Sequence, residues 1–504
     1  MSLWALAIHA SCPTILLDYS TIFPSAGNGS LGFCKYQNIR YAAIPTGPLR
    51  WAKPQWPLTE HQTNIGNLAQ PNVSCATTED CLFMDIWIPY NRTGNQLAVM
   101  VWQYGGGFNI GSKTQQAATQ TTPEGLFDLS SDFIFVSFNY RLGITGLATG
   151  PSFNHQGGIS NAALWDTAHG FRWIQRYIHA FGGDGTRVTA VGHSAGASSL
   201  LFAITRFAGH AEQLFSRAFI QSPGYFAGAG HWSAERFWLN VSAAAGCPGG
   251  SIECMRGVSF SMLNRAASTS TRASGYVLQP KVDGNFAADT YEAQFYQGNF
   301  NFSGELVITH HQHEGNSVPY QGITRESEFR EYLRGVFPCM AEEAMDEMFS
   351  LYPVEQYESQ ALRLSDIAQS IEMTARNLAV THALGNNTWN AQVIIPPATH
   401  QTDQPYYWYA PEKLSVVQGV APSPQEDIHV PTAILMQKYL LSFVITGDPN
   451  KLWPEAKGKI YWPKYKEGNQ PQGRAMIFNT TGLTIGPYDL SNERSVFWNK
   501  ALWY

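Results

Sequence analysis

Short runs of apolar and β-branched residues recur between residues 85 and 309 and are typical of buried strands. The runs that predict strands are Asp85–Pro89, Leu97–Trp102, Phe133–Phe138, Val188–Val191, Arg217–Gln221 and Leu306–Thr309. Between two of them, at Ala162–Ile178, apolar residues fall three or four positions apart, which predicts a helix. Because strands that alternate with helices form parallel sheets with helices on both faces, the pattern predicts an α/β fold around a mainly parallel sheet.

The pattern changes from Ala341 to Leu384, where it is amphipathic and helical with little strand character. We expect this segment to be a helical insertion over one end of the sheet. No repeat, low-complexity stretch or Pro/Gly-rich linker divides the chain, so residues 1–504 are predicted to form a single large domain.

Composition and charge narrow the function classes. Hydrophobic residues make up 44% of the chain and charged residues 14%, which is enough apolar material for a large core. A net charge of -6 without any cluster of Lys and Arg excludes nucleic acid as a partner. No apolar stretch reaches the roughly 20 residues of a membrane span. A small molecule is therefore the expected partner, and the oligomeric state stays open.

Two features bear on the compartment. Met1–Cys12 has a short apolar run without a preceding positive charge, so it is either a degenerate signal peptide or an ordinary chain start. Glycosylation acceptor sequences begin at Asn28, Asn72, Asn91, Asn240, Asn301, Asn386 and Asn479. These features favour the secretory pathway, with a cytoplasmic location as the alternative.

The seven cysteines show no zinc-site spacing, so the sequence predicts no metal site. Two pairs, Cys75 with Cys81 and Cys247 with Cys254, are close enough in sequence to form disulfides in an oxidising compartment. The odd count leaves at least one thiol outside these pairs.

Gly192-His193-Ser194-Ala195-Gly196 matches the G-x-S-x-G pattern of a nucleophile elbow. The strand-like VTAV precedes it and the helix-like ASSLLFAI follows, which is the strand-turn-helix that lifts a serine out of the bend. Gly105-Gly106-Gly107-Phe108 directly follows another predicted strand, where glycines let backbone N–H groups approach a substrate oxygen.

With these motifs the chain resembles the type B carboxylesterases, the family that includes the cholinesterases. Further marks of the resemblance are Arg40-Tyr41-Ala42, Pro48-Leu49-Arg50-Trp51, Glu79-Asp80-Cys81-Leu82, Asn139-Tyr140-Arg141-Leu142-Gly143, Phe181-Gly182-Gly183-Asp184 and Thr446-Gly447-Asp448-Pro449-Asn450. The resemblance implies an α/β-hydrolase fold without a cofactor, and it matches both disulfide pairs.

The resemblance also implies site residues. Ser194 is the expected nucleophile and Glu314, in His313-Glu314-Gly315, the acid of the triad. The implied oxyanion donors are the N–H groups of Gly106, Gly107 and Ala195. The implied walls of an aromatic-rich substrate pocket are Phe108, Tyr225 and Phe226.

The family's catalytic histidine precedes a glycine. In this sequence Gln418, which precedes Gly419, is expected at the position of that histidine. An amide cannot accept a proton near neutral pH, and losing the histidine of such a triad costs about 10⁶ in kcat. His429, close by in sequence, is the candidate for a relocated base. His310, His311 and His313 are further imidazoles near Glu314.

Three functions follow from this pattern. The first is a serine carboxylesterase with a relocated base that acts on a small hydrophobic or aromatic ester. The second is a non-hydrolytic cyclase, lyase or dehydratase of natural-product biosynthesis that uses only the oxyanion hole. The third is a non-catalytic binding protein on the same scaffold, and the retained Ser194, Glu314 and triple glycine argue against it.

Overall fold

The computed structural model describes residues 12–90, 96–225, 230–317, 323–337, 340–410, 428–468 and 472–500. No helix within these ranges is both long enough and apolar enough to cross a membrane.

Eleven strands form the central sheet, in the order β15-β14-β13-β12-β11-β10-β6-β9-β5-β4-β3. In chain order the strands are β1 (Ile15–Leu16), β2 (Thr21–Ile22), β3 (Ala26–Asn28), β4 (Phe33–Arg40), β5 (Phe83–Pro89), β6 (Leu97–Gln103), β7 (Gln115–Gln116), β8 (Thr119–Gln120), β9 (Phe133–Phe138), β10 (Gly183–His193), β11 (Arg217–Gln221), β12 (Glu305–His311), β13 (Trp389–Val393), β14 (Arg474–Phe478) and β15 (Thr484–Pro487). The seven strands from β14 to β9 pair in parallel, and the antiparallel pairs lie at both edges.

All six predicted strands are present, and the bounds of β9 and β11 agree with the prediction. The predicted mainly parallel α/β sheet is therefore confirmed. β10 lies near the middle of the sheet, where β6 and β11 flank it, and its last six residues are buried. A strand in this position presents its carboxyl end to the region between the flanking loops, where ligands bind in α/β sheets.

The helices lie between and beyond the strands. They are α1 (Glu124–Phe127), α2 (Gly143–Leu147), α3 (Pro151–His155), α4 (Ala162–Tyr177), α5 (Ala195–Thr205), α6 (His231–Ala244), α7 (Ile252–Gly257), α8 (Phe260–Ser274), α9 (Tyr291–Gln297), α10 (Glu326–Val336), α11 (Glu342–Leu351), α12 (Gln360–Gln369), α13 (Ala375–Ala383), α14 (Gln404–Tyr407), α15 (Val430–Thr446) and α16 (Glu493–Lys500). Helix α4 ends one residue before the predicted end. A π-helical turn, Ser370–Thr374, joins α12 to α13.

The buried apolar residues of the described chain form one large core and two smaller clusters. The large core includes the sheet and the helices packed against it. One smaller cluster contains Phe329, Met345, Leu364 and Trp498, from α10, α11, α12 and α16, and the other contains Leu378, Ala475 and Tyr488. The segment predicted as a helical insertion is thus helical and has apolar contacts of its own, and its α12 reaches the pocket at the carboxyl end of the sheet.

Three disulfides are present among the described residues. Cys75–Cys81 and Cys247–Cys254 are the pairs that the sequence analysis predicted. The third, Cys12–Cys34, fastens the start of the described chain to β4. Residues 1–11 of the possible signal peptide lie outside the described residues. Cys339 lies outside the described residues.

Candidate active site

Ser194 lies on a sharp turn between β10 and α5. Its backbone dihedrals, φ 55° and ψ -126°, belong to a region that residues other than glycine rarely adopt. The turn depends on Gly196, because a Cβ atom there would overlap the carbonyl oxygen of Gln103 at the end of β6. The strand-turn-helix that the motif predicted is therefore present, and it holds the hydroxyl of Ser194 at the carboxyl end of a central strand.

Ser194, His400 and Glu314 form a hydrogen-bonded row. Nε2 of His400 lies 2.8 Å from Oγ of Ser194, and Nδ1 of His400 lies 2.6 Å from Oε2 of Glu314. If Nδ1 carries the proton, Nε2 is free to accept the proton of the serine hydroxyl. Ser194 comes from the elbow, His400 from the segment between β13 and α14, and Glu314 from the segment after β12.

The second carboxylate oxygen of Glu314 has its own donors. The Ser222 hydroxyl donates to Oε1 over 2.6 Å, and the backbone N–H of His311 donates to it over 2.6 Å. Burial alone would raise the pKa of Glu314, but the neighbouring His311 and His400 outweigh burial and hold the pKa well below its usual range. The carboxylate is therefore charged and fixed in orientation.

His311 links Glu314 to a second buried acid, Asp403. Its Nδ1 lies 3.0 Å from Oε1 of Glu314 and its Nε2 lies 3.2 Å from Oδ1 of Asp403. Burial alone would lower the pKa of His311, but the two carboxylates outweigh burial and raise it to about 10. An imidazolium between two carboxylates therefore underlies the row. His310 instead contacts the hydroxyl of Tyr488, and burial lowers its pKa to about 4.

The histidine of this row was missed by the sequence analysis. Gln418, to which the position of the catalytic histidine was assigned, lies outside the described residues, and the imidazole beside the hydroxyl of Ser194 belongs to His400. His429 is the N-cap residue before α15, where its Nδ1 lies 2.8 Å from the hydroxyl of Thr432, and it does not line the pocket. The histidine next to the hydroxyl of Ser194 is therefore His400 and not His429.

A signal for His400 was present in the sequence, but it did not have the expected form. The family pattern has glycine after the histidine, whereas Gln401 follows His400. Gln401 has φ 79°, a left-handed conformation that glycine adopts without steric cost. A non-glycine residue thus takes a conformation suited to glycine. A search of the sequence for a His-Gly step therefore cannot find His400.

The glycine run packs directly on the elbow. A Cβ on Gly105 would lie 2.7 Å from Cβ of Ser194, and Gly106 and Gly107 line the same pocket as Ser194. Among the described residues, the N–H groups of Gly106, Gly107 and Ala195 donate to no other backbone group. These three N–H groups thus remain available to a ligand, and their convergence on one oxygen stays a prediction.

The pocket above the row has a volume of about 480 Å³. Apolar lining comes from Ile110, Val277, Ala368, Met373 and the ring of Tyr225, and polar lining from Asn109, Gln279, Gln369, Glu372 and Gln401.

Of the three predicted walls, Tyr225 lines the pocket, whereas Phe108 is buried against Tyr140 and does not. Phe226 lies outside the described residues. Within the described part of the chain the pocket is therefore not the aromatic gorge that was expected, because amide side chains and one carboxyl share its surface with aliphatic groups.

Comparisons with known proteins find related sequences and a related fold. The model of the carboxylesterase family matches residues 25–483. A secreted lipase of Arthroderma benhamiae is 30% identical over 450 residues, which cover 85% of this chain and 83% of that protein. Carboxylesterase patB of Aspergillus clavatus is 26% identical over 99% of this chain and 98% of its own length. The crystal structure of Aspergillus niger EstA superimposes with a TM-score of 0.81 at 22% identity, covering 98% of both chains.

Proposed function

Because the chain belongs to the carboxylesterase family, we propose that it is a serine hydrolase that cleaves carboxylic esters through an acyl-enzyme on Ser194. The observation that carries the proposal is the 2.8 Å contact between Oγ of Ser194 and Nε2 of His400, with Glu314 on the other ring nitrogen. An imidazole at this distance is within reach of the hydroxyl proton that a general base must remove.

In the acylation step, the hydroxyl proton of Ser194 passes to Nε2 of His400 while Oγ bonds to the ester carbonyl carbon. The carbonyl oxygen becomes an oxyanion, which accepts hydrogen bonds from the N–H groups of Gly106, Gly107 and Ala195. Such donors contribute about 3–4 kcal/mol each to the transition state. His400 then gives its proton to the leaving alkoxide, and the alcohol departs.

In the deacylation step, a water molecule loses a proton to Nε2 of His400 and attacks the acyl carbon. The bond between that carbon and Oγ of Ser194 then breaks as His400 returns the proton to Oγ, and the carboxylic acid departs. Glu314 stabilises the imidazolium that forms in both steps. Its own proton affinity is low, because His311 and His400 hold its pKa well below the usual range. Glu314 therefore remains a carboxylate throughout.

Hydrolysis is favoured over the two other functions by the same contacts. A non-hydrolytic enzyme that uses only an oxyanion hole does not need a base aligned with Ser194. A binding protein does not need the buried row of Ser194, His400 and Glu314, since burying charged groups costs free energy. The row supports acyl transfer because each member has a role in it.

We further propose a small ester as substrate and an oxidising compartment as location. A volume of about 480 Å³ suits a molecule of limited size, and the mixed lining suits one with both apolar and polar parts. The three disulfides support a secretory location, and of the acceptor asparagines Asn28, Asn72, Asn240 and Asn301 are exposed.

The test is hydrolysis of 4-nitrophenyl butanoate by the wild type and by Ser194→Ala, His400→Ala and His429→Ala. We expect the first two variants to lose about 10⁶ in kcat, because nucleophile and base act as a unit. His429→Ala is expected to keep kcat within about twofold. Mass spectrometry of the quenched reaction should find the butanoyl group on Ser194. A fully active His400→Ala variant, or activity lost in His429→Ala, would contradict the assignment of the base.

A further inference from the structure

One ionisable side chain of the pocket has no role in the proposed reaction. Glu372 lies in the π-helical turn Ser370–Thr374 and lines the pocket together with Ser194, Glu314 and His400. Single π-helical turns inside α-helices occur often at functional sites. Here the turn brings two consecutive residues, Glu372 and Met373, to the pocket in addition to Ala368 and Gln369 of α12.

The carboxyl of Glu372 lies close to Gly224, which contacts the backbone of Ser194. Its Oε2 atom is 3.6 Å from the point where a Cβ on Gly224 would stand. Gly224 in turn donates its N–H to the carbonyl of Ser194 over 3.4 Å. A substrate whose carbonyl carbon is at Ser194 would therefore place one of its substituents within reach of Glu372.

Glu372 has no counter-ion within the part of the chain that the structure describes. The nearest basic side chain on its own helix, Arg376, pairs with Glu292 over 3.4 Å and lies over the ring of Tyr225 at 4.1 Å. Arg376 contacts only the backbone carbonyl of Glu372, at 3.3 Å. Among the described residues the Glu372 carboxyl also receives no hydrogen bond. A bound ligand could therefore supply the donor.

The charges around Glu372 are few. Burial raises the pKa of its carboxyl to about 7, Arg376 and His400 lower it in part, and Glu314 raises it. Glu292 also lies near, but Arg376 neutralises it. Near neutral pH the pocket therefore contains a carboxyl that gains a negative charge as the pH rises, and a bound cation would stabilise that charge.

We propose that Glu372 determines substrate specificity by binding a cationic group, such as an ammonium, on the acyl or alcohol part of the ester. This inference rests on the proposed esterase function and adds a substrate class to it. The lining carboxylate Glu314 is already paired with His311 and His400. Apart from the catalytic residues, the other polar lining residues, Asn109, Gln279, Gln369 and Gln401, are neutral amides, so Glu372 supplies the charge that separates a cationic ester from a neutral one of the same shape.

The experiment compares two pairs of esters that differ only in charge. One pair carries the charge in the acyl part: 4-nitrophenyl 4-(trimethylammonio)butanoate and 4-nitrophenyl 5,5-dimethylhexanoate. The other carries it in the alcohol part: 2-(trimethylammonio)ethyl butanoate and 3,3-dimethylbutyl butanoate. The ratio of kcat/KM within a pair is measured from pH 6 to pH 8.5 on the wild type, Glu372→Gln and Glu372→Asp. Glu355→Gln, at an exposed carboxyl that does not line the pocket, removes the same charge and serves as the control.

In at least one pair, the cationic-to-neutral ratio of the wild type should rise about tenfold as the pH passes through about 7. The quaternary ammonium does not titrate, and effects on His400 cancel within a pair. Glu372→Gln should give a low ratio that does not change with pH, Glu372→Asp should restore part of the rise, and Glu355→Gln should match the wild type. Circular dichroism establishes that each variant is folded.

Equal ratios in the wild type and Glu372→Gln, with the neutral esters still hydrolysed, would overturn the inference and leave the proposed function intact. If no ester is cleaved, the proposed function fails, and calorimetric binding of phenyltrimethylammonium then decides the inference. Affinity about tenfold higher in the wild type than in Glu372→Gln at pH 8 supports cation binding, and equal affinity overturns it.

Discussion

Nε2 of His311 lies 3.2 Å from Oδ1 of Asp403, and both side chains are fully buried beneath the catalytic row. The other ring nitrogen of His311 contacts Glu314 at 3.0 Å. The two acids thus share one cation. Removing a single member of such a group leaves a buried charge without its partner, which is why we expect the group to be sensitive to substitution.

His311→Asn should reduce stability in a pH-dependent way. The folded protein raises the pKa of His311 to about 10, above the value of about 6.5 in an unfolded chain. Its stabilising contribution is therefore complete below about pH 6.5 and is lost as the pH rises towards 10. Urea unfolding at pH 7 and pH 10 should show the gap between wild type and variant narrowing at the higher pH. A gap that widens would mean that His311 is neutral in the folded protein.

Gln401→Gly should stabilise the protein by about 0.5–1 kcal/mol. The left-handed backbone at Gln401, with φ 79°, costs a residue with a Cβ about 1–2 kcal/mol, and the greater freedom of glycine in the unfolded chain offsets part of the gain. The measurement is the urea midpoint. Gln401→Ala keeps the Cβ and should not gain stability, and an equal gain in both variants would contradict strain as the cause.

Gly196→Ala should cost about 3 kcal/mol or more, or prevent folding. The added methyl group would overlap the carbonyl oxygens of Gln103 and Tyr104, which belong to the backbone at the end of β6 and cannot turn aside. The yield of soluble protein and its unfolding by urea measure the effect. Gly257→Ala is the control, since no atom lies within 4 Å of the new methyl group and alanine favours the helix at α7. Comparable losses in both variants would argue against the close contact.

Cys12→Ser should lower the free energy of unfolding by about 3 kcal/mol. The Cys12–Cys34 bond joins residues 22 apart, and a closed loop of this length restricts the unfolded chain by about that amount. Cys34→Ser should have a similar effect, and the double variant should be no worse than either, because all three remove the same bond. Additive losses would show that the two cysteines are not bonded to each other.

The sequence by itself determined six strands of the central sheet and helix α4, because each of these elements has a local pattern of apolar residues. It also determined the elbow. Ser194 and its glycines are adjacent in the chain, so the motif contains both the nucleophile and the conformation that exposes it. Glu314 was found through the family resemblance, as an acid before a glycine in the segment after a predicted strand.

Only the tertiary structure decided which histidine faces Ser194. His400 is 206 positions from Ser194 in sequence, and the chain path between β13 and α14 brings its ring within 2.8 Å of the hydroxyl. The pattern that would have marked it contains a glycine, and Gln401 hides the pattern while keeping the glycine-like conformation. The contact of Cys12 with Cys34, the pairing of His311 with Asp403 and the position of Glu372 in the pocket arise in the same way. Each joins segments that have no local signal for one another, so only the packing of the whole sheet and its helices brings them together.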